Sequence, residues 1–276
     1  MLTYCHLNGQ LTPAAEAKLH ISDLGLLRGF GIFDFFLFRN HQPLFLADYL
    51  DRFYRSAALL ELGPMPARAE LEGYVHALIA ANGQPNGGIR LLATGGYSPD
   101  GYTPAAPNFF AAQYALPRVA AEEREQGCAL LTWQHERELP EVKSINYLTG
   151  ILAQRELKRQ GAHYLLYHNG REVLESDRSN FLVLTRDGAL ATPQHGVLAG
   201  ITRAKTLDMA RQLGMVVEER EVELSEIAQA REAYLTSSTK GVLPVTRIDG
   251  RPVGDGRIGP VGRALAEAWK THHGEL

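Results

Sequence analysis

Cysteine is scarce in this chain of 276 residues: Cys5 and Cys128 are the only two. They lie far apart with no C-x-x-C spacing, which argues against a disulfide framework and a thiolate zinc site and leaves no metal indicated. An excess of either charge is also lacking, with 28 Lys and Arg against 31 Asp and Glu, for a net charge of −3. No broad field draws the chain to nucleic acid or to an anionic membrane. No apolar run approaches the ~20 residues that span a bilayer, and Met1-Leu2-Thr3-Tyr4 lacks the basic start and apolar stretch of an export signal. These absences are read as a cytoplasmic protein that acts on small molecules.

What is present is ample apolar content. Hydrophobic residues make up 45% of the chain, enough at this length for one large core or two smaller ones. Asn8-Gly9 predicts a hairpin turn, and Ile32, Phe33, Phe35, Phe36 and Phe38 predict a strand. Apolar residues at helical intervals predict helices over 47–62 and 69–81, with Gly63-Pro64 stopping the first. Strands are expected at 88–94 and 108–116. The charged, aperiodic stretch 117–125 is read as a linker between a domain at 1–116 and a larger one at 126–276. In the second domain the pattern predicts a strand at 128–133, a helix at 146–160, strands at 163–168, 172–174 and 181–185, a helix at 202–214, and strands at 233–237 and 244–248. The fold class is α/β, of the α+β kind.

No single polar residue is decisive. Lys143, just before a predicted helix, reads by default as a solvated surface lysine. Its standing comes from an ordered string: Lys143-Ser144-x-Asn146-Tyr147, then Gly161-Ala162, Asn169-Gly170, Glu175, Ser179-Asn180-Phe181, Gly200-Ile201-Thr202-Arg203 and Ser238-Thr239. This string resembles the signature of the class IV aminotransferases of fold type IV, and matching segments occur in order from Asp23 to Val245. The resemblance implies pyridoxal 5'-phosphate as cofactor, with pyridoxamine phosphate as its aminated form. It implies two α/β domains with the cofactor in the cleft between them, and a homodimer. Lys143 is then the residue that carries the cofactor as a Schiff base, and Glu175 the carboxylate on the pyridine nitrogen, which keeps the ring an electron sink. The family usually has Gly after this Glu, where Ser176 stands here.

Phosphate needs cationic donors and backbone N–H groups. The resemblance assigns it to Arg52, to Gly200, Ile201 and Thr202 at a helix start, and to Ser238 or Thr239, between which the sequence does not choose. Tyr147 is either a neighbour of the cofactor's phenolic oxygen or a core tyrosine. Asn180 shapes the loop beneath the ring.

An α-carboxylate is best held by a guanidinium fork, and three arginines are candidates for substrate binding. Arg28 and Arg178 lie in segments that line the family's pocket, whereas Arg90 also reads as a strand residue paired with a local carboxylate. The Arg-x-His pair of the well-known D-amino-acid enzymes is absent from Thr94–Tyr102. So is the Tyr-Gly-x-Gly-x-Phe-Glu-Gly of the branched-chain enzymes. The combination is similar to an atypical D-amino-acid aminotransferase, taking a D-amino acid and a 2-oxo acid, 2-oxoglutarate favoured. A branched-chain L-aminotransferase and an aminodeoxychorismate lyase share the same cofactor residues.

Overall fold

The computed structural model describes residues 3–116 and 118–273, apart from the side chains of His272 and His273. The chain forms two compact units: Met1–Pro117 with Val142–Asn146, and Arg118–Glu141 with Tyr147–Leu276.

The first unit opens with strands β1 (Tyr4–Leu7) and β2 (Gln10–Pro13). Asn8 and Gly9 between them both have positive φ, 47° and 86°. That is the requirement of the two-residue hairpin turn whose twist matches its strands, which is why Asn-Gly stands there. Helix α1 (Leu24–Arg28) follows, then β3 (Gly31–Arg39), β4 (Gln42–Pro43), α2 (Leu46–Leu59), α3 (Arg68–Asn82), β5 (Gly87–Thr94) and β6 (Phe109–Tyr114). The six strands make one antiparallel sheet in the order β2-β1-β6-β5-β3-β4. Strand alternation divides β3 between two faces. Ile32, Asp34, Phe36 and Phe38 are fully buried beneath the helices, while Phe33 and Phe35 are half-buried on the other face. Phe53 of α2 meets Phe109 of β6 edge-on at 6.2 Å, and α3 buries Leu71, Val75, Leu78 and Ile79 at helical spacing. Helix α2 ends earlier than the pattern predicts, because Glu61 turns left-handed and Leu62 drops back into the core.

The second unit contains α4 (Ala121–Gln126), β7 (Cys128–Gln134), α5 (Leu148–Leu152), α6 (Gln154–Gln160), β8 (Tyr164–His168), β9 (Glu172–Ser176), β10 (Ser179–Leu184), β11 (Leu190–Thr192), α7 (Ile201–Gln212), β12 (Val217–Glu219), β13 (Val222–Glu223), α8 (Leu224–Ile227), β14 (Glu232–Ser237), β15 (Gly241–Ile248), β16 (Arg251–Pro252) and α9 (Pro260–His273). Its sheet runs β12-β11-β10-β14-β15-β7-β8-β9-β13, with β16 on β15. A further pairing of β10 with β9 closes a ring of six strands. Parallel neighbours β7 and β8 need a long crossover, and α5 and α6 supply it. The core is aliphatic, with Leu130, Leu166, Val183, Leu235, Leu243 and Val245 nearly inaccessible.

Two segments differ from the sequence expectation. The stretch read as a linker is helical over Ala121–Gln126, and Glu123 there accepts a hydrogen bond from the Tyr164 hydroxyl at 2.7 Å. The helix expected over 146–160 begins at Leu148 and is two short helices joined at Ala153. Sheet pairing holds the chain before it extended, since Ser144 bridges Ile32 and Ile145 N–H donates to the Gly31 carbonyl. No helix among the described residues is long and apolar enough to cross a membrane.

Candidate active site

Lys143 belongs to the first unit, on the extended segment beside the start of β3. Its N–H donates to Ser56 Oγ at 3.2 Å, and its carbonyl accepts from Phe33 N–H at 2.9 Å. With Val142 buried, the backbone around the lysine is held from both sides. The side chain is half-buried, and its Nζ stands 4.7 Å from the centroid of the Phe33 ring.

The Arg90 guanidinium, from β5, lies 5.5 Å from the same Phe33 ring and 5.2 Å from the Tyr114 ring. Its Nε is buried with no hydrogen-bond partner, and among the described residues no carboxylate pairs with it. The expected local carboxylate is therefore corrected: Arg90 sits opposite Phe35 and Ala112 in the sheet, neither of which carries one. Ring contacts contribute about 0.5–1 kcal/mol each at partly exposed sites, less than the ~1.5–3 kcal/mol of a hydrogen bond to a charged group. The fork is thus suited to an anionic acceptor.

Arg52 is deeply buried on α2 and gives two N–H groups to Asp34, at 2.9 Å from Nε and 2.6 Å from Nη2. Asp34 also accepts the Phe35 N–H at 2.8 Å. Arg28 ends α1, capped by Asp23 at its start and by left-handed Gly29 at its end. It is exposed, and its Nη1 donates to the Leu27 carbonyl. It precedes the strand rather than lying on it.

In the second unit, β9 and β10 form a tight hairpin with Asp177 and Arg178 at its turn, and Asn180 opposite Glu175. Glu175 is buried. Its Oε2 accepts Leu198 N–H at 3.1 Å and Asn180 Nδ2 at 3.3 Å, and its Oε1 lies 3.4 Å from Arg137 Nε. Asn180 Nδ2 also donates to the Leu198 carbonyl at 2.8 Å. A Cβ at Gly200 would fall 1.8 Å from Asn180 Oδ1, so only glycine leaves Asn180 its seat. Gly200 is in turn the N-cap of the twelve-residue helix α7, whose first-turn N–H groups point out of the helix toward anions. Ile201 and Thr202 are buried in that first turn. Gly200→Ala is expected to displace Asn180, loosen Glu175 and lower the melting temperature by several degrees, measured by thermal unfolding; an unchanged melting curve would contradict this packing.

Ser176, where glycine is usual, is accommodated by donating its hydroxyl to Asp177 Oδ1 at 3.0 Å. Arg178 is largely exposed, its Nε 3.1 Å from Asp177 Oδ2. Ser238 and Thr239 are half-buried in the turn between β14 and β15, with Ser237 Oγ 3.3 Å from Thr239 Oγ1. Tyr147 is half-buried at the start of α5. The structure thus joins Glu175, Asn180 and Gly200 in one contact group and Lys143, Phe33 and Arg90 in another. Arg52 sits with Asp34, and Arg28 stands apart at its helix end. Among the described residues no group of three or more His, Cys, Asp or Glu is placed to hold a metal.

The profile of the family Amino-transferase class IV matches residues 31–248. The chain belongs to the class IV aminotransferases. It is 31% identical to a D-alanine aminotransferase of Listeria monocytogenes, over 92% of this chain and 91% of that one. The T.th. branched-chain amino acid aminotransferase, solved with pyridoxamine 5'-phosphate, superposes with a TM-score of 0.89 at 27% identity, covering 98% of this chain and 93% of that one. That of Escherichia coli shares the fold with a TM-score of 0.90 at 24% identity, covering 98% and 94%.

Class IV aminotransferases bind pyridoxal phosphate, and the donor set of this aminotransferase suits it. A buried carboxylate with its own hydrogen bonds matches a cationic ring nitrogen, a helix N-terminus and hydroxyls match a phosphate, and a lysine amine matches the aldehyde. Sequence reasoning misses Arg137 and Asp34, the charged partners of two residues it names. Both stand in segments that read as ordinary strand or loop, and only tertiary pairing reveals them.

Proposed function

We propose that this aminotransferase moves an amino group from a D-amino acid to a 2-oxo acid, with 2-oxoglutarate as the favoured acceptor. The observation that carries the reading is the shared Phe33 ring: an amine, Lys143 Nζ, and a carboxylate fork, Arg90, both lie against it. An α-amino acid offers the guanidinium a carboxylate and the amine an acidic proton on the adjoining Cα. The D-alanine aminotransferase relative supports the stereochemistry. Phe35 and Tyr114, 6.3 Å apart beside Arg90, favour a second reading in which the side chain is apolar and branched.

When bound, pyridoxal phosphate supplies an electron-withdrawing ring that stabilises charge on the carbon losing a proton. Lys143 would anchor the cofactor and, as a free amine, would take the proton from the substrate Cα and deliver it to the former aldehyde carbon rather than back to Cα. The Glu175 carboxylate keeps the ring nitrogen protonated, and Asn180 and Leu198 N–H keep that carboxylate oriented. Arg52, Gly200, Ile201, Thr202 and the 238–239 hydroxyls hold the phosphate, with Asp34 fixing the angle of Arg52. Tyr147 would approach the cofactor's phenolic oxygen. Arg90 receives a substrate carboxylate, and Arg28 and Arg178 are assigned the remaining carboxylate contacts of a dicarboxylic substrate. The active form is a homodimer.

The test is a chiral donor screen with 2-oxoglutarate: D-alanine and D-glutamate against L-leucine and L-glutamate, with pyruvate release from aminodeoxychorismate assayed alongside. D-donors are expected to react and Arg90→Gln to raise their KM about tenfold or more, the loss of a charge-assisted hydrogen bond. Exclusive turnover of L-leucine, or pyruvate release alone, would replace this reading with one of the other two.

A further inference from the structure

Lys240 closes the turn after Ser238 and Thr239, and it is buried to 8% exposure. Its N–H donates to the Ser237 carbonyl at 3.1 Å. Its Nζ crosses to the neighbouring hairpin and donates to Ser179 Oγ at 3.1 Å, passing 4.4 Å from the centroid of the Tyr164 ring. Arg178, at the tip of that hairpin, lies 5.7 Å from the same ring. The Tyr164 hydroxyl is held by Glu123 of α4, so the ring that supports both cations is itself fixed.

A buried ammonium is costly unless it is paired or hydrogen-bonded. The groups facing Lys240 divide between signs. Arg178 repels it, while Asp177 on the hairpin and Glu123 on α4 favour its charge, and Cys128 on β7 is kept a neutral thiol by burial. Burial, with Arg178 adding to it, pushes the Lys240 ammonium down to about 8. Ser179 lies between Arg178 and Asn180, so the bond from Nζ pins the hairpin that carries Glu175 and Asn180 to the turn that carries the two hydroxyls.

We propose that Lys240 is a positioning residue that locks the turn at 237–241 to the hairpin at 175–180, fixing the ring-nitrogen carboxylate relative to the phosphate hydroxyls and adding positive charge beside the latter. This rests on the cofactor assignments above. The two elements join neighbouring strands of one sheet, with Asn180 opposite Thr236 and Ser237 opposite Gly241, and the Lys240 side chain adds a link between them beyond the last paired residues.

The experiment is equilibrium dialysis of pyridoxal phosphate against the protein, wild type and two variants, from pH 7 to 9.5. Lys240→Met is expected to raise the dissociation constant about tenfold at pH 7. Ser179→Ala, which removes the acceptor and keeps the charge, is expected to raise it by a smaller factor at the same pH. Wild-type affinity is expected to fall above pH about 8 as the ammonium loses its proton, whereas Lys240→Met stays flat across that window. Thermal unfolding of each variant separates lost binding from lost folding. Wild-type affinity and pH profile in a folded Lys240→Met protein would overturn the proposal while leaving the cofactor assignments standing; a wild-type protein that takes up no pyridoxal phosphate would overturn both.

Discussion

Lys143→Ala is expected to lower turnover roughly 10⁴-fold or more while leaving the protein folded, because the proposed function makes one side chain both the covalent anchor and the base at Cα. The fold should survive because the residue's structural bonds are made by its backbone. Ser56 Oγ accepts its N–H and Phe33 N–H donates to its carbonyl, and neither contact involves the side chain. Steady-state kinetics with D-alanine and 2-oxoglutarate reads the loss, and circular dichroism reads the fold. Turnover within tenfold of wild type would remove Lys143 from the chemistry.

Asp34→Ala is expected to destabilise the protein by about 3–5 kcal/mol, because it takes from the buried Arg52 guanidinium the carboxylate that accepts two of its N–H groups. Both side chains are nearly inaccessible, 6% and 0% exposed, and the contact uses both carboxylate oxygens. Breaking this buried pair costs more than breaking an exposed one, for which about 0–1 kcal/mol is usual, because the remaining charge stays buried. Asp34→Ala with Arg52→Met should recover part of the lost stability, since replacing both charges removes the stranded one. Urea unfolding followed by far-ultraviolet circular dichroism, which reports on both units, measures both variants. Equal midpoints for Asp34→Ala and wild type would show that Arg52 is satisfied elsewhere.

The group of residues proposed to hold the cofactor is legible in the sequence because it is local. Glu175 and Asn180 are five residues apart and face each other across a two-residue turn, and Gly200-Ile201-Thr202 opens a helix directly. Such spacings survive in the one-dimensional string. Strands and helices with strong periodicity, such as 88–94 and 69–81, appear within a few residues of their expected limits. What the sequence hides is pairing at long range. Nothing in the order of residues pairs Asp34 with Arg52 or brings Lys240 to Ser179 and Tyr164. Arg90 is the least favoured of three arginines by sequence, and it is the one in contact with the ring that Lys143 also touches. The helix expected from 146 begins only at Leu148, because the edge of β3 offers Ser144 and Ile145 hydrogen bonds that a helix start does not.

The rival to Lys143 is Lys240 itself. By acidity alone, a buried lysine held near 8 is the better nucleophile at neutral pH, yet its Nζ is committed to Ser179 and to the Tyr164 ring. Borohydride reduction of the protein loaded with pyridoxal phosphate, followed by peptide mapping, decides between them. The cofactor is predicted to be fixed on the peptide containing Lys143 and on no other; a label on Lys240 would contradict the assignment of the catalytic lysine.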